Sequence, residues 1–241
     1  MLEAVKNFFR NRAMIGITVA AFGSFMCTYG AQTALTVTFQ AYFKSAQYSG
    51  LVGMASMAGI IVMAPLSSKV AAKIGKKEVA VLGTALMGLA YASLFVLPLS
   101  PDANGSLVLV VVLFLASFGN GIGGCVMWAM VADALDYEEW KFGTRTEGTS
   151  YALYSLMRKI AQGVMPSLGL VAATFFGYEA VLGADQAPGV AVAMRYLMPA
   201  FYVAGALLSL VGYAAVYNLN RKTMARMTAE LEARHAAAKG S

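Results

Sequence analysis

Leu107–Ala132 reads LVLVVVLFLASFGNGIGGCVMWAMVA, a run with no acidic or basic residue in it. As a helix rising 1.5 Å per residue it would extend about 39 Å, more than the roughly 30 Å of a bilayer's hydrocarbon core. Five further apolar blocks surround it: Met14–Gln40, Tyr48–Ser68, Val79–Pro98, Ser150–Phe176 and Val190–Asn218. Each is long enough to span as a helix. Hydrophobic residues make up 59% of the chain and charged ones 12%, far from soluble usage of roughly 45–50% and 25%. The fold expected is an all-α polytopic membrane protein, a six-helix bundle over residues 1–220 with a basic helical tail over residues 221–241.

The basic residues orient the bundle. Lys6, Arg10 and Arg12 precede the first block, Lys69, Lys73, Lys76 and Lys77 separate the second and third, Lys141 and Arg145 the fourth and fifth. Arg221, Lys222, Arg226, Arg234 and Lys239 follow the sixth, whereas the opposite side holds only Lys44 and Arg195. Positive charge collects on the cytoplasmic side, so both termini are expected there. The pI of 9.3 is then a product of topology and calls for no nucleic-acid partner. The first block is too long for a cleavable signal core. Cys27 and Cys125 fall inside spans and read as packing thiols, and a single histidine excludes a His-rich metal site. With no nucleophile–base pair and no metal constellation, no catalytic residues, metal site or cofactor are expected. The tail stripe Met224, Met227 and Leu231 reads as a frayed, solvated helix at the membrane surface, lightly held by anionic lipid.

Two of the 18 basic residues remain, Arg158 and Lys159, inside the fifth block. They lie roughly 12–18 Å below the start of that span, at a cost of at least ~2.5–3.5 kcal/mol each on insertion scales. No acidic residue lies as deep. On a helical wheel Tyr151, Tyr154, Ser155, Arg158, Lys159 and Gln162 share one arc, with Leu153, Leu156, Ile160 and Val164 opposite. Such an arc faces protein or a water-filled cavity. In the first block Tyr29, Gln32, Thr33, Thr36 and Gln40 form a second, uncharged arc. Hydroxyls and carboxamides of this kind hydrogen-bond sugar hydroxyls. Candidate substrate-binding residues are therefore Lys159, Ser155, Arg158, Tyr29, Gln32, Thr36, Tyr151 and Gln162. Gly119, Gly121, Gly123 and Gly124 are expected to let helices approach closely, with Asn120 as polar glue, and Trp128 to pack. Between the fourth and fifth spans a loop with five acids is expected, in which Asp133, Asp136, Arg145 and Glu147 would form a charge-paired cytoplasmic gate.

The segment Ala132-Asp133-Ala134-Leu135-Asp136-Tyr137-Glu138-Glu139-Trp140-Lys141-Phe142-Gly143-Thr144-Arg145-Thr146-Glu147-Gly148-Thr149-Ser150-Tyr151, followed by Lys159, resembles the signature of the glycoside–pentoside–hexuronide:cation symporters. These are melibiose-permease-like members of the major facilitator superfamily. Asn11-Arg12 and Gly75-Lys76-Lys77 fit the same pattern. The resemblance is to the C-terminal six helices of a twelve-helix transporter in a bacterial cytoplasmic membrane. It implies a small sugar or glycoside as solute, Lys159 near the sugar and cation sites, Ser155 beside the sugar, and Asp133, Arg145 and Glu147 in the inner charge network. It also implies a coupling cation, Na+ or H+, held mostly by a partner half. The reading that follows is a half-transporter paired with a second six-helix unit, with a homodimer or a non-transporting membrane scaffold as alternatives.

Overall fold

The computed structural model describes residues 2–143 and 147–239, and no strand occurs among them. A short helix α1 (Leu2–Arg10) leads to Asn11, which caps α2 (Arg12–Phe25) by accepting from the Met14 N–H at 3.0 Å. The Asn11 amide also donates to the Ala134 carbonyl at 2.8 Å, tying the start of the first span to the far end of the fourth. One π turn, Met26–Gly30, interrupts the first span before it continues as α3 (Ala31–Ala41). The remaining long helices are α4 (Ser49–Ile74), α5 (Lys76–Val96), α6 (Ala103–Phe142), α7 (Glu147–Phe175) and α8 (Pro188–Leu210), the last extended by a π segment, Val211–Val216. The tail forms α9 (Arg221–Lys239).

Five helical stretches are long and apolar enough to cross a membrane: Arg12–Ala41, Ala46–Ile74, Lys76–Val96, Ala103–Phe142 and Pro188–Val216. Helix α7 matches them in length, 29 residues, but its polar face, Arg158 and Lys159 included, makes it less apolar. The first span is the hub, with 61% of its apolar window buried against 11% for the second. Helix α6 packs chiefly on α4 and α5, while α8 packs on α2, α3 and α5. Helix α7 leans on the first span and meets α6 and α8 only sparingly, so it stands at an edge of the bundle.

Three of the four α6 glycines act as expected. A Cβ on Gly119 would fall 2.4 Å from the Gly83 carbonyl oxygen, and one on Gly121 would meet Ile60 and Met63. Gly123 sits over Ala80, but Gly124 faces only Asn120. Small residues thus bring the α5 and α6 backbones together where hydrocarbon supplies no hydrophobic drive.

Two expectations about the chain-terminal end need correction. The acidic stretch after Ala132 is helix rather than loop: α6 runs on to Phe142 and stops at Gly143, whose φ of 69° suits a left-handed C-cap. The tail is docked rather than frayed. Met227 and Leu231 are buried in the same core cluster as Tyr137 and Phe8, each contributing about 2 kcal/mol as an upper figure. The Trp140 indole N–H donates to Glu230 at 2.7 Å, the Arg226 Nε donates to the other Glu230 oxygen at 2.7 Å, and Arg234 reaches the Trp140 carbonyl at 3.1 Å. His235 meets Glu139. The apolar stripe in the tail had a protein surface to cover.

The hydrogen bonds from Arg226 and then Trp140 hold the Glu230 carboxyl below its ordinary range. A depressed carboxylate adds stability above its unfolded value, ~4.3, and that contribution is lost as pH falls through the lower folded value. Acidification is therefore expected to loosen α9. With Trp128 replaced by Phe, leaving Trp140 the only indole of the two, its emission should shift red below about pH 4. A shift complete above pH 5, or none at pH 3, contradicts this docking.

Candidate functional site

A cavity of about 160 Å³ opens between the first, second, third, fourth and sixth spans. Its wall includes Ser24, Thr28, Gln32, Ser56 and Asn120, with Tyr91 and Tyr202 stacked on each other at 4.2 Å behind them. The π turn lies at this wall. Widening one turn puts Cys27 and Thr28 on the cavity side while Gly30 sits against Phe201 and the Met165 carbonyl. Thr28, Gln32 and Thr36, one turn apart, are all exposed, as is Asn120. Asn120 makes no hydrogen bond among the described residues, so it lines the cavity and is not glue between helices.

The threonines are partly spoken for. The hydroxyls of Thr28, Thr33 and Thr36 donate to the carbonyls of Ser24, Tyr29 and Gln32, four residues back. This pattern satisfies a hydroxyl inside its own helix. The Gln32 side chain is then the first-span group left to face a solute. Gln40, from the same arc, accepts from the Tyr178 hydroxyl at 2.8 Å and belongs to the outer loop.

Helix α7 brings its polar arc alongside. The Gln162 amide reaches the Tyr29 hydroxyl at 3.5 Å, joining the two predicted arcs. Ser155 is half-buried, Tyr151 is 45% exposed, and Tyr154 is fully buried with its hydroxyl unpaired. Lys159 is exposed and has no ion pair among the described residues.

Arg158 does the opposite of snorkelling. Its guanidinium sits over the Trp128 ring at 4.5 Å, with Phe25 at 5.5 Å and Tyr154 at 5.8 Å. Each such contact is worth roughly 0.5–2 kcal/mol. Trp128 is 48% exposed, so it holds a cation instead of filling a core. Cys125, also expected to pack, is exposed; Cys27 is buried and donates to the Tyr202 carbonyl at 3.3 Å.

At the end where both chain termini lie, the Lys76 ammonium contacts both Asp133 oxygens at 2.7 and 2.8 Å. Asp133 is nearly buried and Lys76 partly exposed. Lys76 was not among the predicted gate residues; a cation 57 positions away leaves no local trace. Glu138 accepts from Ser150 at 2.6 Å, linking α6 to the first turn of α7, where Glu147 stands. Asp136 is half-buried on the same helix turn. Arg145, the fourth predicted gate residue, lies outside the described residues. Three further cations are held by main chain: Arg12 by the Ala215 and Val216 carbonyls, Lys77 by those of Ala214 and Tyr217, and Arg221 by that of Lys73.

Residues 1–221 match the family described as MFS/sugar transport protein. The chain belongs to that family. Members are transporters, and the chain is not an enzyme. Among curated relatives, the glucuronide carrier protein homolog of Escherichia coli (strain K12) is 30% identical over 193 residues, covering 77% of this chain and 40% of the relative. An uncharacterized symporter, YjmB, of Bacillus subtilis (strain 168) is 28% identical over 235 residues, covering 95% of this chain and 48% of the relative. The chain spans about half the length of the curated relatives it matches.

Proposed function

We propose that this chain is the C-terminal-type six-helix half of a sugar transporter working by alternating access. In this reading Lys159, Gln32, Asn120 and Gln162 form one wall of the solute cavity, and a second six-helix unit supplies the other. The observation that carries it is the uncovered polar strip. Gln32, Asn120 and Lys159 are exposed in the middle of long helices, where lipid would leave their polar groups unsatisfied. A scaffold has no use for such a face. Half-length coverage of symporter and carrier relatives supports the same reading.

Both termini are assigned to the cytoplasm by the basic residues around Arg12, Lys76 and Arg221, in a bacterial inner membrane. The Lys76–Asp133 pair and the α6–α7 junction then form the inner gate, with contacts that exchange between inward- and outward-open states. A sugar or glycoside is the solute, and the coupling cation, Na+ or H+, binds mainly to carboxylates of the second unit.

The test is the mass of what leaves the membrane with this chain. Extraction in mild detergent and native mass measurement are expected to give one copy bound to a second membrane polypeptide of similar size. Two copies of this chain alone would make the second unit a copy of the first. Saturable, cation-driven uptake by a monomer in proteoliposomes overturns the proposal.

A further inference from the structure

A groove of about 370 Å³ runs between α4 and α6 toward the end that holds both termini, within the roughly 300–1,000 Å³ of small-molecule sites. Ala64, Ala71 and Ala72 form one side, Cys125, Val126 and Ala129 the other, and Lys76 stands at its end. Ser67 and Ser68 also line it, but their hydroxyls donate to the Ala64 and Pro65 carbonyls at 2.7 and 3.2 Å. The wall therefore offers methyl groups and a thiol over the roughly 12 Å of helix from Ala64 to Ala72. A second hollow, about 150 Å³, continues the groove: Ala71, Ala72 and Lys76 line both, and Gly75, Asp133 and Arg221 belong to the second. Asp133 there is engaged by Lys76, and Glu78 lies against Gly75. Arg221 gives one nitrogen to the Lys73 carbonyl at 2.8 Å and keeps further N–H donors of its five. The Lys73 ammonium, exposed beside Ala72, has no partner among the described residues. Lys69, one turn back, and Lys222, next to Arg221, are exposed as well. Five cations thus gather around two carboxylates at the end of an apolar channel.

We propose that this groove holds an anionic phospholipid, with one acyl chain lying along α4 between Ala64 and Ala72 and the phosphate at Lys73, Lys76 and Arg221. Charge complementarity and the order of the lining residues select that occupant. A free anion has no use for the apolar length, and a neutral lipid has none for the cationic end. Basic pockets between spans at a membrane surface take acidic headgroups in this way. The phosphate completes the donors that Lys73 and Arg221 leave open, and the lipid joins the end of α4 to the start of α9. The inference needs only that the bundle lies in a bilayer, so it stands or falls apart from the sugar-transport reading.

Cys125 is exposed on the groove wall and Cys27 is buried, so alkylation of Cys125 reports occupancy. The 241-residue chain in a polyoxyethylene detergent is treated with N-ethylmaleimide, and the mass of the Cys125 peptide gives the rate. Phosphatidylglycerol is expected to slow the reaction saturably, about fivefold or more, and phosphatidylcholine less than about twofold. Lys73→Gln, which breaks no contact, should raise the phosphatidylglycerol needed by about fivefold, the effect of one cation near an anionic surface. Lys73→Gln combined with Arg221→Gln should erase the preference between the two lipids, and Lys73→Gln alone carries the test if the pair does not fold. Lys6→Gln, an exposed cation at the same end on α1, should match the parent. No protection by phosphatidylglycerol, equal protection by phosphatidylcholine, or a Lys73→Gln titration matching the parent or Lys6→Gln overturns the inference. So does equal protection by glycerol 3-phosphate, which makes the hollow an anion site without an acyl chain.

Discussion

Replacing Lys159 with leucine is expected to abolish solute uptake by the assembled transporter, by a hundredfold or more, while the protein unfolds no earlier than the parent. The two halves of this expectation come from the same geometry. Lys159 is exposed on α7 and lacks an ion pair among the described residues, so its removal breaks no partner contact. It also removes a charge that costs about 2.5–3.5 kcal/mol at mid-membrane depth. In the proposed reading that cation acts on the solute or on the second unit. A hundredfold loss corresponds to about 2.7 kcal/mol, within the range for a charged hydrogen bond to solute or to a partner carboxylate. Uptake and thermal unfolding of the same preparation check both halves. Uptake above half of the parent's would remove Lys159 from the transport site and favour a scaffold.

The second large effect is structural. Gly119→Leu should cost about 3 kcal/mol or more, because even a Cβ there would lie 2.4 Å from the Gly83 carbonyl oxygen and 2.8 Å from the Met87 nitrogen. Backbone, unlike a flexible side chain, cannot step aside. The α5–α6 contact is among the most extensive in the bundle, so its opening should reach the cavity wall through Asn120, the next residue. Gly163→Leu is the control, since nothing lies within 4 Å of a Cβ there. Unfolding in detergent by heat or denaturant reads both. Equal stability of the two variants would mean that the close approach contributes little.

Much of this architecture is legible in the amino-acid sequence, and what is missing has one physical origin. Apolar runs, the glycines at 119, 121 and 123, and the two polar arcs are local patterns with a helical period, and the arcs do meet, at Gln162 and Tyr29. The Lys76–Asp133 pair, the rings around Arg158 and the Trp140–Glu230 contact join residues 30 to 133 positions apart within the described fold. Tyr154 is the local exception, one turn from Arg158. Such contacts have no period to detect. The apolar stripe of α9 was visible, but a stripe does not say what covers it, and a membrane surface and a protein groove ask for the same residues. The threonine hydroxyls show the converse limit: a polar arc suggests a solute, while four-back carbonyls can satisfy it without one.

At the end where both termini lie, the basic side chains fasten helix ends to one another. Arg12, Lys77 and Arg221 each grip main-chain carbonyls around the start of the first span, the end of the sixth and the second-to-third junction. Main-chain carbonyls are fixed by the helices that carry them, so these contacts do not depend on a partner side chain's rotamer. The three fastenings thus differ from the neighbouring Lys76–Asp133 clasp, which joins two side chains. That corner of the bundle is laced side chain to backbone across three junctions, so its helix ends shift together or not at all.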